Sequence, residues 1–150
     1  MNYAQNFRLM GFDLHLVSDG NAIIRLERGH IPETRSCPII DAAICQLREY
    51  AAGTRTDFDL PVAPTGTEFQ QAVWQALQEI PYGETRSYGE IAAQIGRPKA
   101  ARGVGGACNK NHILLLIPCH RVIGKNGSLT GFGAGLDLKE ALLHLEKRNT

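Results

Sequence analysis

Ser87-Tyr88-Gly89-Glu90-Ile91-Ala92-Ala93-Gln94-Ile95-Gly96-Arg97-Pro98-Lys99-Ala100-Ala101-Arg102-Gly103-Val104-Gly105-Gly106-Ala107 reads as two short helices meeting at a tight turn. Ser87 and Glu90 have capping-box spacing, in which each side chain satisfies a backbone donor of the other, so a helix opens there. Gly96 ends it, since glycine accepts the left-handed conformation that closes a helix. A second helix is expected from Lys99 to about Cys108. Such a pair is either a helix-turn-helix or the commoner helical hairpin. The second helix has almost no side-chain bulk: Ala100, Ala101, Gly103, Gly105, Gly106 and Ala107. A glycine inside a helix costs about 1 kcal/mol relative to alanine. A close approach must compensate, either by another helix or by a nucleic-acid groove that Arg102 alone is long enough to enter.

Charge bears on that choice. Between Glu90 and Asp137 there is no acidic residue, yet Arg97, Lys99, Arg102, Lys110, Arg121 and Lys125 all fall there. The rest of the chain carries ten basic residues against fifteen acidic ones, so a net charge of +1 conceals a one-sided distribution. A surface facing a polyanion has this signature, as does a cation-rich solvated loop region. The asymmetry favours the groove modestly.

Working outward, Thr67 and Gln70 form another capping box, and Phe69, Val73, Trp74, Leu77 and Ile80 follow at helical spacing until Pro81-Tyr82-Gly83. Further upstream, Leu9 to Val17 alternates as a strand, Ser18-Asp19-Gly20-Asn21 is a turn, and Ala22 to Glu27 is a second strand. Pro32 to Pro38 reads as a loop, and Ile39 to Ala51 as an amphipathic helix. The extended segment Thr54 to Gly66, with Pro61 and Pro64, marks a boundary. The expected class is α+β: a small N-terminal antiparallel sheet with a helix over residues 1–64, then a mainly helical domain with a winged-helix-like helix-turn-helix over 65–150. The chain's 150 residues with 43% hydrophobic content suit one good core or a small domain attached to a larger one. No run is long enough to span a membrane and no signal-peptide core precedes the first strand. A cytoplasmic protein with reduced thiols is expected, nucleoid-associated if prokaryotic. Cys37, Cys45, Cys108 and Cys119 lack metal-site spacing, so no metal is expected.

Downstream, Leu114-Leu115-Leu116-Ile117 reads as a short buried strand that Pro118 stops, delivering Cys119, His120 and Arg121 together where the backbone turns. Nearby cations ease thiol ionisation, and the thiolate is the nucleophile. The bland reading is a core cysteine beside a chance histidine. Gly124 to Gly127 reads as a basic turn, Thr130 to Gly135 as a glycine-rich loop, and Asp137 to about Lys147 as a last helix. Its apolar stripe is Leu138, Ala141, Leu142 and Leu145, with Glu146 on a neighbouring face.

Pro118-Cys119-His120-Arg121-Val122, Ser87-Tyr88 with Ile91-Ala92, Pro98 through Ala107, Asn111, and Leu142-Leu143-His144-Leu145-Glu146 together resemble the O6-alkylguanine-DNA alkyltransferases. The resemblance is close from Gly66 to Glu146 and loose before it. It implies DNA repair by direct reversal. O6-alkylguanine, and O4-alkylthymine, is flipped from the duplex and its alkyl group passes irreversibly to Cys119, once per molecule. It also implies that His120 acts as base through a bridging water, oriented by Glu146; that Tyr88 protonates the leaving guanine; and that Asn111 braces the loops around the thiol. Arg102 would replace the flipped base from the minor groove. Ser87, Tyr88, Gly89, Arg97, Ala101, Gly105, Gly106, Arg121 and Lys125 would face DNA beside it. Pro118, Phe132 and Gly133 would line the substrate pocket. No cofactor is implied; the implied partner is double-stranded DNA bearing the lesion, bound by a monomer.

Four positions depart from the family pattern: His112 for proline, Phe132 for tyrosine, Gly133 for a small polar or apolar residue, and Gly103 for alanine. They bear on pocket shape rather than on chemistry. Three rival classes are weaker. Alkyltransferase-like lesion sensors lack the acceptor cysteine. A transcription regulator needs polar base-reading side chains in its recognition helix. A cysteine hydrolase needs acyl-binding signals, which are missing.

Overall fold

The computed structural model describes residues 2–32, 34–127 and 133–150. The chain divides into two compact units. One is built from the residues through Pro64 together with His112–Leu114, and the other from Thr65–Asn111 with Leu115–Thr150.

The first unit is a three-stranded antiparallel sheet in the order β1 (Tyr3–Leu9), β2 (Phe12–Ser18), β3 (Ile23–Arg28), with α1 (Pro38–Ala51) packed against β1 and β2. The strand expected from Leu9 to Val17 is in fact the second of a hairpin. Leu9 pairs with Phe12, and Met10 and Gly11 turn between them with φ of 54° and 85°. Two positive φ values match the mirror-image turn that suits strand twist. A methionine at its first position gives no sequence signal for that turn, so β1 escaped the reading. Leu14, Leu16, Ile23, Leu26, Ile40 and Leu47 form the core, each fully buried. His112–Leu114 belongs here because its backbone adds to the edge of β3: Leu26 N donates to His112 O at 2.8 Å, and Leu114 N donates to Leu26 O at 2.9 Å.

The second unit contains α2 (Glu68–Gln78), β4 (Arg86–Ser87), α3 (Tyr88–Gln94), α4 (Ala101–Asn109), a one-turn 3-10 helix (Cys119–Arg121), β5 (Val122–Ile123) and α5 (Leu136–Arg148). Both capping boxes form as expected, at Thr67/Gln70 and at Ser87/Glu90. β4 and β5 pair in parallel, Arg86 with Val122 and Ser87 with Ile123, which ties the start of α3 to the end of the Cys119–Arg121 turn. α3 and α4 pack on one another and α4 on α2, so the helix-turn-helix stands on a helical base. Trp74 Nε1 donates across that base to Ala107 O at 2.9 Å. No helix among the described residues is long and apolar enough to cross a membrane.

The apolar run 114–117 is buried but is not a strand. It is a series of turns, with Leu115 at a φ of 66°. Four apolar residues report burial, and burial alone does not distinguish a strand from a packed turn.

Candidate active site

Pro118 shapes the turn that carries Cys119. Its φ of −79° and ψ of 66° are those of an inverse γ-turn, and Cys119 N donates across it to Ile117 O at 2.8 Å. Proline suits the centre of that turn because its ring already sets φ. The chain then continues as a single 3-10 turn, closed by Arg121 N to Pro118 O at 3.0 Å and by Val122 N to Cys119 O. Asn111 braces both limbs: its Nδ2 donates to Ile117 O at 2.8 Å and to Cys119 Sγ at 3.2 Å.

Glu146 is the electrostatic hub. Its Oε2 faces His120 Nε2 at 2.7 Å and accepts from Arg121 Nη2 at 3.0 Å. Its Oε1 accepts from Arg121 Nε at 2.8 Å and from Gly83 N at 3.2 Å. His120 and Glu146 are each about 1% exposed. Burial pushes the Glu146 carboxyl up, but the hydrogen bonds from His120 and Arg121 and the charge of Arg121 outweigh it and hold the group well below the usual carboxylate range. Burial depresses His120, with the Glu146 contacts opposing. The resting pair is therefore a carboxylate and a neutral imidazole. An ionised carboxylate only accepts, so Nε2 carries the imidazole hydrogen and Nδ1 is left with its lone pair. Among the described residues Nδ1 has no hydrogen-bond partner, although it is buried. A proton acceptor thus sits on the residue next to the thiol.

Two expectations need correcting. Neighbouring cations do not leave Cys119 ionised at rest. Burial pushes its thiol up to about 11, only partly offset by the Asn111 hydrogen bond and the charge of Lys139. Nor does Arg121 face outward toward DNA. It is about 7% exposed, its Nε and Nη2 are held by Glu146, and its Nη1 donates to Ile80 O at 2.7 Å. Spacing showed a cation beside a thiol but not which way its side chain turns.

The other expected positions fall on the helix-turn-helix or nearby. Arg102, Gly106, Gly89 and Lys125 are exposed; Ser87, Ala101 and Tyr88 are half-buried. Arg97 is exposed with its guanidinium 5.8 Å from the centre of the Phe69 ring. The small residues of α4 divide between the two explanations offered for them. A Cβ on Gly103 would come within 3.2 Å of the Phe69 ring and one on Gly105 within 3.8 Å of the Tyr88 ring, whereas one on Gly106 would meet open space. Gly103 thus serves internal packing, a Cβ on Gly105 would make only ordinary contact, and Gly106 leaves the outer face low. Pro118 is buried and Gly133 exposed. Phe132 lies outside the described residues. Lys139, about 1% exposed with its Nζ donating to Val122 O at 2.6 Å, went unnoticed in the sequence, although it shares the inward face of α5 with Glu146.

The arrangement defines a class: helix-turn-helix proteins that carry a buried cysteine backed by an imidazole–carboxylate pair. Residues 68–148 match the family model described as 6-O-methylguanine DNA methyltransferase, DNA binding domain. The chain belongs to this family. A methylated-DNA–protein-cysteine methyltransferase from Methanosarcina acetivorans is 63% identical over 101 residues, covering 67% of this chain and 65% of that relative. The match thus spans just under two thirds of the relative's length. The crystal structure of Mycobacterium tuberculosis O6-methylguanine methyltransferase superposes with a TM-score of 0.92 at 44% identity, covering 100% of this chain and 95% of the other. Mycobacterium tuberculosis OGT in complex with DNA gives a TM-score of 0.91 at 45% identity, covering 98% and 94%.

Proposed function

We propose that this protein repairs DNA by direct reversal, moving the alkyl group of O6-alkylguanine, and of O4-alkylthymine, to Cys119. The observation that carries the reading is His120, its Nε2–H committed to Glu146 and its Nδ1 lone pair free on the residue after the thiol. His120 takes the Cys119 proton, directly or through a water. The sulfur then attacks the alkyl carbon, the carbon–oxygen bond breaks, and the electron pair leaves on the guanine. Tyr88 supplies the proton that the base needs, which the imidazolium ultimately replaces. The high resting thiol suits this sequence: a neutral Cys119 is protected until a substrate completes the site. The thioether product is stable and no residue here would reverse it, so each molecule acts once.

The second unit binds the DNA and the first supports it. Arg102 occupies the gap left by the flipped base, and Ser87, Gly89, Arg97, Ala101, Gly105, Gly106 and Lys125 lie along the duplex. The names of the relatives and the DNA complex of the Mycobacterium tuberculosis protein support DNA as the partner. The protein acts as a monomer in this reading. Incubation with duplex DNA containing O6-methylguanine, followed by intact-mass measurement and peptide mapping, tests the reading. One methyl group on Cys119 and none on Cys119→Ala is the expected result. Methylation of Cys37, Cys45 or Cys108 instead, or sustained turnover, would overturn it.

A further inference from the structure

α5 delivers two opposite charges from one face. Lys139 and Glu146 are seven residues apart, close to two helical turns, so their side chains leave the helix in nearly the same direction. Glu146 takes the His120 and Arg121 side chains of the acceptor turn. Lys139 reaches the turn's closing residue: its Nζ donates to Val122 O at 2.6 Å, while Val122 N donates to Cys119 O. The ammonium is thereby fixed to the backbone of the turn that carries the thiol, at a site about 1% exposed. The mechanism above gives it no task.

We propose that Lys139 is a positioning residue for the alkyl transfer, a fixed counter-charge that stabilises the sulfur anion of Cys119 without touching the alkyl group. This rests on Cys119 being the acceptor. A buried ammonium bonded to a neutral carbonyl gains most when an anion forms beside it. Its own proton affinity is lowered by burial, and the charges that would raise it again are the thiolates of Cys119 and Cys108. Among the described residues, the charged or titratable groups around the thiol have assignable parts. Glu146 and Arg121 neutralise each other, His120 is neutral at rest, and Asn111 is a neutral donor. Cys108, from α4, is pushed up to about 12 by burial and so is a neutral thiol at rest. Lys139 contributes a positive charge that favours the sulfur anion when His120 takes its proton. Once the thioether forms, that interaction disappears, so the lysine favours the thiolate and the early part of the transfer rather than the product.

The full chain is treated with iodoacetamide over a range of pH, and Cys119 modification is separated from that of Cys108 by peptide mapping. The sulfur displaces iodide with no nucleobase involved, so the rate reports the thiolate alone. Lys139→Met should raise the midpoint of the profile by about one pH unit or more and slow modification at neutral pH about tenfold. Lys139→Arg should recover most of the difference. A wild-type midpoint in a Lys139→Met protein with native near-UV circular dichroism overturns the proposal. If that variant does not fold, the wild-type chain provides a second measurement: the Lys139 Nζ, followed by carbon-13 NMR, should lose its proton at lower pH once Cys119 is capped. An unchanged titration also overturns the proposal. A shifted iodoacetamide profile in a protein that accepts no methyl from O6-methylguanine DNA would sustain the lysine's role and sink the repair reading instead.

Discussion

Replacing Glu146 by glutamine removes the negative charge that faces Arg121 and His120 while keeping nearly the same volume. The carboxylate's contacts include donors at 2.7, 2.8, 3.0 and 3.2 Å. A glutamine oxygen can keep at most two or so of these, and its NH2 group is turned toward other donors. The guanidinium of Arg121, about 7% exposed, then lies buried with a neutral partner. Removing one member of a buried ion pair costs about 3–5 kcal/mol, since the remaining charge is uncompensated. That is a large share of the roughly 5–15 kcal/mol that holds a domain folded. Urea unfolding at pH 7 should therefore show the midpoint of Glu146→Gln falling sharply with little change in slope. A double-mutant cycle sharpens the test. Arg121→Met alone leaves the carboxylate to His120 and Gly83, and the double variant should lose less than the two single losses added together. A Glu146→Gln cost below about 1 kcal/mol, or strict additivity, would refute the view that this carboxylate is the electrostatic hub. Alkyl transfer offers a second readout, because the amide no longer dictates which imidazole nitrogen carries the hydrogen. It should slow further than the stability loss alone explains.

Acidification should destabilise the protein through the same pair. His120 sits below its ordinary 6.5 and Glu146 below its ordinary 4.5, so in both cases the unfolded chain binds protons more readily. Stability present at pH 7 is then lost as pH falls, from about 6.5 downward for His120 and from about 4.5 downward for Glu146. The slope is up to about 1.4 kcal/mol per pH unit for each group; urea midpoints that rise on acidification would contradict this. Arg102→Ala should leave stability within about 0.5 kcal/mol of wild type, because the residue is exposed. It should slow repair of duplex DNA far more than reaction with free O6-benzylguanine, and equal losses on both substrates would remove its role in holding a base out. DNA affinity should depend on salt with a log–log slope near −3, at roughly −0.9 per phosphate for about three contacts, since Arg121 is turned inward. A slope near zero, or strong preference for one undamaged sequence, would argue for a regulator.

Much of this molecule follows from local rules. Both capping boxes, the amphipathic faces of α1 and α2, the glycine that ends α3 and the proline that frames Cys119 depend on residues within a turn or two of each other, and each was legible. The Pro118–Val122 motif also placed thiol and imidazole together, because adjacency in the chain is adjacency in space. Local rules failed where a side chain had a choice of direction or a backbone had a choice of partner. Nothing near Met10-Gly11 announces a turn, since only the pairing of β1 with β2 requires positive φ there. Four apolar residues from Leu114 to Ile117 fit a strand equally well until the fold bends them into turns. Arg121 reads as a surface cation, and only the approach of α5, bringing Glu146 to 2.8 Å, draws it inward. Cys119 reads as an easily ionised thiol among cations, yet those cations are spent on a carboxylate and burial decides the balance. The chain alone therefore determined which chemical groups are present and which short helices carry them. Tertiary packing decided their charge states and directions, because dielectric, counter-charge and hydrogen-bond partners come from segments that lie far apart in sequence.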